Sequence, residues 1–537
     1  MGAGKTIYRW CLREVAMHTV SICEQGEKYV PYWRTCVGAG RANEALRAAF
    51  QRHLALVQKE IGFGYLRFHA LFHDDMFVAR KDEQGKMIYN FQYIDDVFDM
   101  MLEKNIRPFV ELSFFPDCMK GGDSTLCWWK GHSTPPDDFT PFCELVEKFV
   151  RHVISRYGAE EVHAWYFEVW NEPNLYGFWD GTKSQYFELY KLVTKTIKAV
   201  DPALRVGGPA TSNFVPDSRF DGEKEDEEAA LTHKVDDLNS LQWHGVWINE
   251  FLTFCEQNHL PVDFVSTHPY PTDFALDGHG KVTERSRNVD ALYKDMTWLK
   301  AAVKNSAYPN AEIHLTEWSS SPSPRDYTHD YLQEAAFIVK TNLDCIGLAD
   351  SLSYWVFTDV FEEQGAGDSI FHGGFGMVNY QGIVKPAFHA YRMLASLYDE
   401  CVYRDDHAFV TKKDGDVCGL LYNYPIRESI ALSRYPDTGK AEKDLNCGES
   451  HSVSLCLKGF EPGQTVHVEQ LDKDHGWAYR KWQQMGSPEP PDRQQTEELR
   501  RFAMETKKWD MQADEAGEMH LDVMLEPWNL MRFYTGK

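Results

Sequence analysis

Between about residue 31 and residue 398 the chain alternates short apolar runs with longer amphipathic segments. Eight of the runs are rich in Val, Ile, Phe, Tyr and Trp, the composition of strands buried on both faces. They are TCVGAG from Thr35, YLRFHALF from Tyr65, RPFVELSF from Arg107, WYFEVWNE from Trp165, RVGGPAT from Arg205, FVSTHPY from Phe264, EIHLTEW from Glu312 and LSYWVFTD from Leu352. Helical spacing separates them. Residues 43–60 place Leu46, Phe50, Leu54 and Val57 on one face, and residues 141–157 do the same with Phe142, Leu145, Phe149, Val153 and Tyr157. The second pattern predicts Thr140 as the N-cap, Pro141 in the first turn and Gly158 as the stop. A last helix follows Lys385-Pro386 and runs to about Leu397.

Eight strand–helix units in series require parallel strands joined by right-handed crossovers. The predicted fold class is α/β, a (β/α)8 TIM barrel over residues 31–398. An open doubly wound sheet is the alternative, but VGAGRA at residues 37–42 matches its glycine-rich first turn only in part. Three connections after strands are long, where such a barrel builds its site: 115–140 with Trp128 and Trp129, 210–241 with the acidic run EKEDEE, and the glycine-rich 361–382. Disorder is expected only at the tip, residues 223–228. Beyond residue 399 the texture changes to short alternating runs such as AFVTKKD, VCGLLYNY, HSVSLCLKG, QTVHVEQLD, MHLDVML and LMRFYTG. Residues 399–537 therefore read as an antiparallel β-sandwich with a helical insertion near 497–508, and residues 1–30 as strands that join it.

Composition changes this picture in what it excludes. Of 537 residues, 81 are acidic and 56 basic, giving a formal charge of -25. A field of that sign disfavours nucleic acid and anionic membrane as partners. The 12 cysteines show no CxxC and no zinc-like spacing, so no metal is expected and the thiols read as buried. Cys118 and Cys127 lie close enough to pair in an oxidising compartment. MGAGKTIYRW lacks the apolar core of a secretory signal, and no N-x-S/T sequon occurs, which together point to a cytoplasmic location. GAGKT at residues 2–6 lacks the preceding strand and spacing of a phosphate-binding loop.

In a barrel the chemistry sits at the C-terminal strand ends. The fourth run ends Trp170-Asn171-Glu172-Pro173-Asn174, and the seventh ends Thr316-Glu317-Trp318. Strands four and seven lie on opposite walls, so Glu172 and Glu317 face each other across the mouth. Glycoside hydrolysis needs such a pair: one carboxyl to protonate the leaving oxygen and one, about 5 Å away in retaining enzymes, to attack the anomeric carbon. The acid then needs a raised pKa while the nucleophile stays ionised. No cofactor is required, because two carboxylates carry the proton and nucleophile work.

WNEPN with the later TEW resembles the clan of (β/α)8 glycosidases whose acid/base and nucleophile lie on strands four and seven. More narrowly, CVGAGRANEALR, LRFHALFHDDM, FEVWNEPN, DFVSTHPYPTD, HLTEWSSSPSPRDYTHD, YWVFTDVFEE and FHGGFGMVNYQGIVKPAFHAY are similar to glycoside hydrolase family 39, the β-xylosidases and α-L-iduronidases. The resemblance implies Glu172 as general acid/base, Glu317 as nucleophile, and Asn171 bonding the sugar 2-OH. It implies that His69, His268 and Tyr270 line the −1 subsite, that Phe178 and Trp355 form apolar walls, and that Glu362 and Glu363 accept from ring hydroxyls. One of the two last is expected to face solvent, and Asp74 and Asp75 to brace a loop. Family iduronidases place a Lys where this chain has Tyr270, and the glutamates would repel an iduronide carboxylate. The expectation is thus a retaining exo-acting β-D-xylosidase acting on small xylosides or xylo-oligosaccharides. Open alternatives are an iduronidase-like enzyme, an endo-acting clan relative with Trp128, Trp129 and Trp179 along a groove, or a non-catalytic carbohydrate-binding protein. The resemblance also admits a homo-oligomer assembled through the sandwich.

Overall fold

The computed structural model describes residues 17–175, 177–215, 243–276, 282–425, 437–445 and 448–536. The predicted features at residues 2–6 and 223–228 lie outside the described residues. Eight parallel strands close in sequence order: β1 Cys36–Arg41, β2 Tyr65–His69, β3 Arg107–Leu112, β4 Tyr166–Val169, β5 Arg205–Ser212, β6 Phe264–His268, β7 Glu312–Trp318 and β8 Ser351–Tyr354. Each coincides with one of the eight apolar runs. The seam between β8 and β1 is narrow, a single ladder pairing of Tyr354 with Val37.

Helices α1 Ala48–Glu60, α2 Gln92–Glu103, α3 Thr140–Tyr157, α4 Lys183–Val200, α5 Ile248–Gln257, α6 Ala291–Lys304, α7 Leu332–Asp344 and α8 Pro386–Ala395 surround the strands. Two helix starts differ from the sequence expectation. The first helix begins at Ala48, because Ala42–Leu46 form a 3-10 turn. In α3 the cap is Phe139 and Thr140 is already helical, its N–H taken by Asp138 Oδ1 at 2.9 Å. Asp138 thus does the work expected of Thr140 two residues later. Gly158 ends α3 with φ +87°, a conformation that costs a glycine little.

Successive residues of a strand point to opposite faces, so two-residue steps stack layers inside the barrel. Phe109, Tyr166 and Phe264 form an aromatic floor. Phe109 stacks on Tyr166 at 4.7 Å and meets Phe264 edge-on at 5.4 Å, with His314 also against the cluster. Two residues further along, Phe109 gives way to Glu111, Tyr166 to Glu168 and Phe264 to Ser266, all buried. The interior is therefore apolar at the bottom and charged at the top.

After the barrel, Glu400–Arg404, Ala408–Lys413, Asp416–Tyr422, Leu530–Tyr534, Thr465–Leu471 and Lys507–Gln512 form one sheet with the short Glu27–Lys28 at its edge. A second sheet pairs His451–Lys458 with Glu518–Leu525, and His18–Ser21 runs parallel to it with Val20 opposite Leu457. Val20, Val410, Leu421, Leu455, Val468 and Phe533 pack between the two sheets. The helix expected near 497–508 spans Arg493–Met504, capped by Asp492, and the chain turns to strand at Lys507. Cys118 and Cys127 are free thiols. Among the described residues no helix is long and apolar enough to cross a membrane.

The floor is the testable part of this packing. Phe109→Ala is expected to lower unfolding free energy by about 3–5 kcal/mol, since it empties a fully packed aromatic site. Urea denaturation followed by tryptophan fluorescence measures it.

Candidate active site

The charged layer is organised by Arg67, wholly buried on β2. Its Nε donates to Glu168 at 2.6 Å, Nη1 to Glu317 at 2.7 Å, and Nη2 to Asn171 Oδ1 at 2.7 Å; Nη2 also lies 2.9 Å from Glu111. One planar guanidinium thus ties together strands β2, β3, β4 and β7, the geometry for which arginine is suited and lysine is not. Burial opposes its charge, but the carboxylates of Glu168, Glu111 and Glu317 more than restore it, so it stays a cation.

Glu317 is buried near the end of β7, where the register to β8 shifts between Leu315 and Trp318. Such an irregularity re-aims a side chain; here both Thr316 and Glu317 contact the charged layer. Besides Arg67, Glu317 has His69 Nε2 at 3.4 Å and receives the Tyr270 hydroxyl at 3.3 Å. His69 is held from behind, Nδ1 to Glu111 at 2.5 Å. Burial lowers the His69 pKa, yet the Glu111 carboxylate reverses that and the net shift is upward.

Glu172 sits beyond the end of β4 with φ +44°, and Trp170 has φ +71°. Left-handed backbone at non-glycine residues costs on the order of 1–3 kcal/mol each. It is held there by the Glu172 N–H donating to Ala210 at 2.9 Å, by Leu175 N–H donating back to the Glu172 carbonyl at 2.9 Å, and by the Trp170 indole donating to Phe178 at 2.9 Å. The carboxyl meets His268 Nδ1 at 2.9 Å. One oxygen of Glu172, one nitrogen of His268 and one oxygen of Glu317 all lie within 4.8 Å of one another.

The two carboxyls differ in surroundings. Burial raises both. For Glu317, Arg67 and His69 oppose that rise. For Glu172, Glu317 and Glu363 push further up against only a weaker pull from Arg67. Glu172 is therefore the partner that holds a proton more readily and Glu317 the one more readily ionised.

The structure gathers most of the sequence-predicted residues here. The Trp355 ring lies tilted 4.7 Å from the His69 ring, and the Phe178 ring lies tilted 6.1 Å from it. Gly38 is required beneath Trp355, because a Cβ there would come within 2.6 Å of the indole. Asn171 has its oxygen pinned by Arg67, while its Nδ2, buried, finds no partner among the described residues and is free to donate. Glu363 reaches 3.7 Å from His69, and burial pushes its pKa up to about 7. Glu362 does not join the group: Arg47 Nη2 holds it at 2.8 Å and Arg41 lies 3.6 Å away, and the Arg47 pairing lowers its pKa. Asp75 braces its loop through Arg41 and His73. Of the three tryptophans, Trp179 is packed against Trp170 and Phe115 in the core and lines no groove. Trp129 is buried under Arg41, and Trp128 alone is exposed, at 65%.

Sequence reading passed over Arg67, Glu111, Glu168 and Thr316 as functional residues. A signal was present: each of the first three is a charge with an apolar residue on either side of it in a strand run, and buried charges persist only when paired.

A buried, unequal pair of carboxyls across the mouth of a (β/α)8 barrel is the machinery of a glycoside-cleaving enzyme. A profile of glycosyl hydrolases family 39 matches residues 18–227 and 240–520. The chain belongs to that family and is a glycoside hydrolase. It is 38% identical over 498 residues to a β-xylosidase of Caldicellulosiruptor saccharolyticus, covering 92% of this chain and 93% of that one. It is 36% identical over 519 residues to a β-xylosidase of Geobacillus stearothermophilus, covering 95% and 94%. The crystal structure of a monomeric β-xylosidase from Caulobacter crescentus CB15 superposes with a TM-score of 0.82 at 30% identity, covering 97% and 99%.

Removing Arg67 strands three buried carboxylates. Arg67→Met is expected to destabilise the fold by about 3–5 kcal/mol. Chemical denaturation at neutral pH measures the loss, and the same measurement at pH 4 should show a smaller one, since protonation relieves the unpaired charges.

Proposed function

We propose that this enzyme is a retaining exo-β-xylosidase, with Glu172 as general acid/base and Glu317 as nucleophile. The observation that carries the reading is the carboxyl pair within 4.8 Å, one member paired to a guanidinium and the other surrounded by anions. That spacing leaves no room for a water between the carboxyl and the anomeric carbon, as an inverting enzyme needs. Glu317 attacks the anomeric carbon while Glu172 gives its proton to the leaving oxygen. Water then attacks the glycosyl-enzyme and returns a proton to Glu172. The free Asn171 amide is aimed at the sugar 2-OH.

A neutral pentose suits the pocket. Tyr270 and Glu363 stand beside the pair, and neither compensates a C5 carboxylate. Exo action is favoured by the hairpin of Thr125–Leu126 and Gly131–His132, whose tip docks on the opposite loop through the Trp128 N–H to the Glu363 carbonyl at 2.9 Å. That contact closes one side of the mouth. Both β-xylosidase relatives support the same sugar.

Azide separates the two glutamates. Glu317→Ala is expected to lose activity and, with azide, to yield the α-xylosyl azide from an activated β-xyloside. Glu172→Ala is expected to yield the β-xylosyl azide. Product anomers by NMR decide, and full activity in Glu317→Ala overturns the assignment. Against nitrophenyl β-xyloside and an aryl α-L-iduronide, the wild type should cleave the xyloside faster; short xylo-oligosaccharides should give xylose from the first turnovers. The acid is active only while protonated, so kcat/KM should fall as pH rises through a Glu172 pKa above the usual carboxylate range.

A further inference from the structure

A chain of four buried hydrogen bonds connects Arg67 to Glu172 by a route other than direct contact. Arg67 Nε donates to Glu168 Oε2 at 2.6 Å. The Thr316 hydroxyl lies 2.8 Å from the other oxygen, Glu168 Oε1. The same hydroxyl lies 2.8 Å from His268 Nε2, and His268 Nδ1 lies 2.9 Å from Glu172 Oε1. Glu168, Thr316 and His268 are each essentially inaccessible to solvent.

Proton counting fixes every donor along this chain. Glu168, gripped by a guanidinium, is an acceptor only. The single hydroxyl proton of Thr316 must therefore point to Glu168. That leaves Thr316 only lone pairs for His268, so His268 Nε2 carries the ring proton. Burial, together with the nearby charges of Arg67 and His69, holds the ring neutral. A neutral ring protonated at Nε2 has only a lone pair at Nδ1. Facing that lone pair at 2.9 Å, Glu172 makes a hydrogen bond only as the protonated acid.

We propose that Thr316 and Glu168 are positioning residues for the acid/base: they lock His268 in the Nε2–H tautomer, so that its Nδ1 accepts from the Glu172 carboxyl and never donates to it. The proposal rests on the reading of Glu172 as general acid/base. Other groups also face this carboxyl: Glu317 from β7, Glu363 from the loop after β8, Arg67 from β2, Tyr270 after β6 and the Ser212 side chain from β5. Arg67 and Ser212 favour the ionised form, burial with Glu317 and Glu363 favours the protonated one, and an accepting His268 adds to the second group. In the first half-reaction that proton leaves Glu172 for the departing oxygen as the C1–O bond breaks and the Glu317–C1 bond forms. His268 stays neutral throughout. Glu172 then stands as a carboxylate against a lone pair, which sharpens its demand for a proton from the attacking water as Glu317 departs.

Thr316→Val removes the lock. The ring is then free to place its proton on Nδ1, where it donates to the Glu172 carboxylate and stabilises it. The alkaline limb of kcat/KM should move down by about one pH unit. Activity at neutral pH on xylobiose, whose departing xylose is a poor leaving group, should fall about tenfold. Dinitrophenyl β-xyloside, whose leaving group needs no proton, should hold its rate. Thr316→Ser should restore the wild-type profile. An unmoved alkaline limb, or equal loss on both substrates, overturns the proposal. Histidine 15N NMR of the wild type reads the tautomer without any variant: a pyrrole-type Nε2 and a pyridine-type Nδ1 at His268 are expected, and the reverse assignment overturns the lock. Glu172→Ala on the same two substrates checks the underlying reading separately, because an acid/base variant loses xylobiose far more than the dinitrophenyl glycoside.

Discussion

Everything at the mouth of this barrel depends on a single cation placed where no water reaches it. Arg67 is surrounded by Glu111 from β3, Glu168 from β4, Glu317 from β7 and Asn171 from just beyond β4. A buried charge of this kind is tolerable only if fully partnered, and its partners are tolerable only because it is there. Through one donor the guanidinium favours the ionised form of Glu317. Through another it meets Glu168, from which hydrogen bonds run by way of Thr316 and His268 to Glu172. Two carboxyls within 4.8 Å thereby stand in unlike electrostatic surroundings. The network is rigid because its members stand on strands rather than loops.

The layering of the barrel makes that arrangement affordable in structural terms. The aromatic floor of Phe109, Tyr166 and Phe264 fills the lower end, and the layer of Arg67, Glu111, Glu168 and Glu317 lies above it toward the end where the loops gather. The left-handed residues Trp170 and Glu172 lift the acid out of the sheet and turn it toward β6 and β7. Their strain is held by backbone bonds to Ala210 and Leu175 and by the Trp170 indole.

Much of this was legible before any coordinates, and the divisions are physical. The eight apolar runs are strands because buried parallel strands need continuous apolar sequence, and Glu172 and Glu317 were visible because each ends such a run. The partners of these residues were not. Whether Thr316 points to His268 or Glu363 to His69 depends on register between strands far apart in sequence, and local pattern carries no register across a barrel. Glu362 and Glu363 are adjacent and chemically identical, yet Arg41 and Arg47 capture one and leave the other in the site. Trp179 looked like a groove residue because tryptophans near a mouth often are; its neighbours Trp170, Phe115 and Tyr186 make it core. The start of α3 was misplaced by the ordinary ambiguity between Asp138 and Thr140 as cap.

The strand His18–Ser21 lies ahead of the barrel in the chain but pairs with Leu455–Lys458, which lies after it. The barrel in turn closes only when Tyr354 reaches Val37. On the ribosome neither closure is available until hundreds of residues have followed the first partner out. The early strands must wait as unpaired edges, and the contacts that unite the molecule are among its longest in sequence. Assembly is therefore constrained by the order of synthesis, and a nascent chain halted before β7 would carry Arg67 without its countercharge on Glu317.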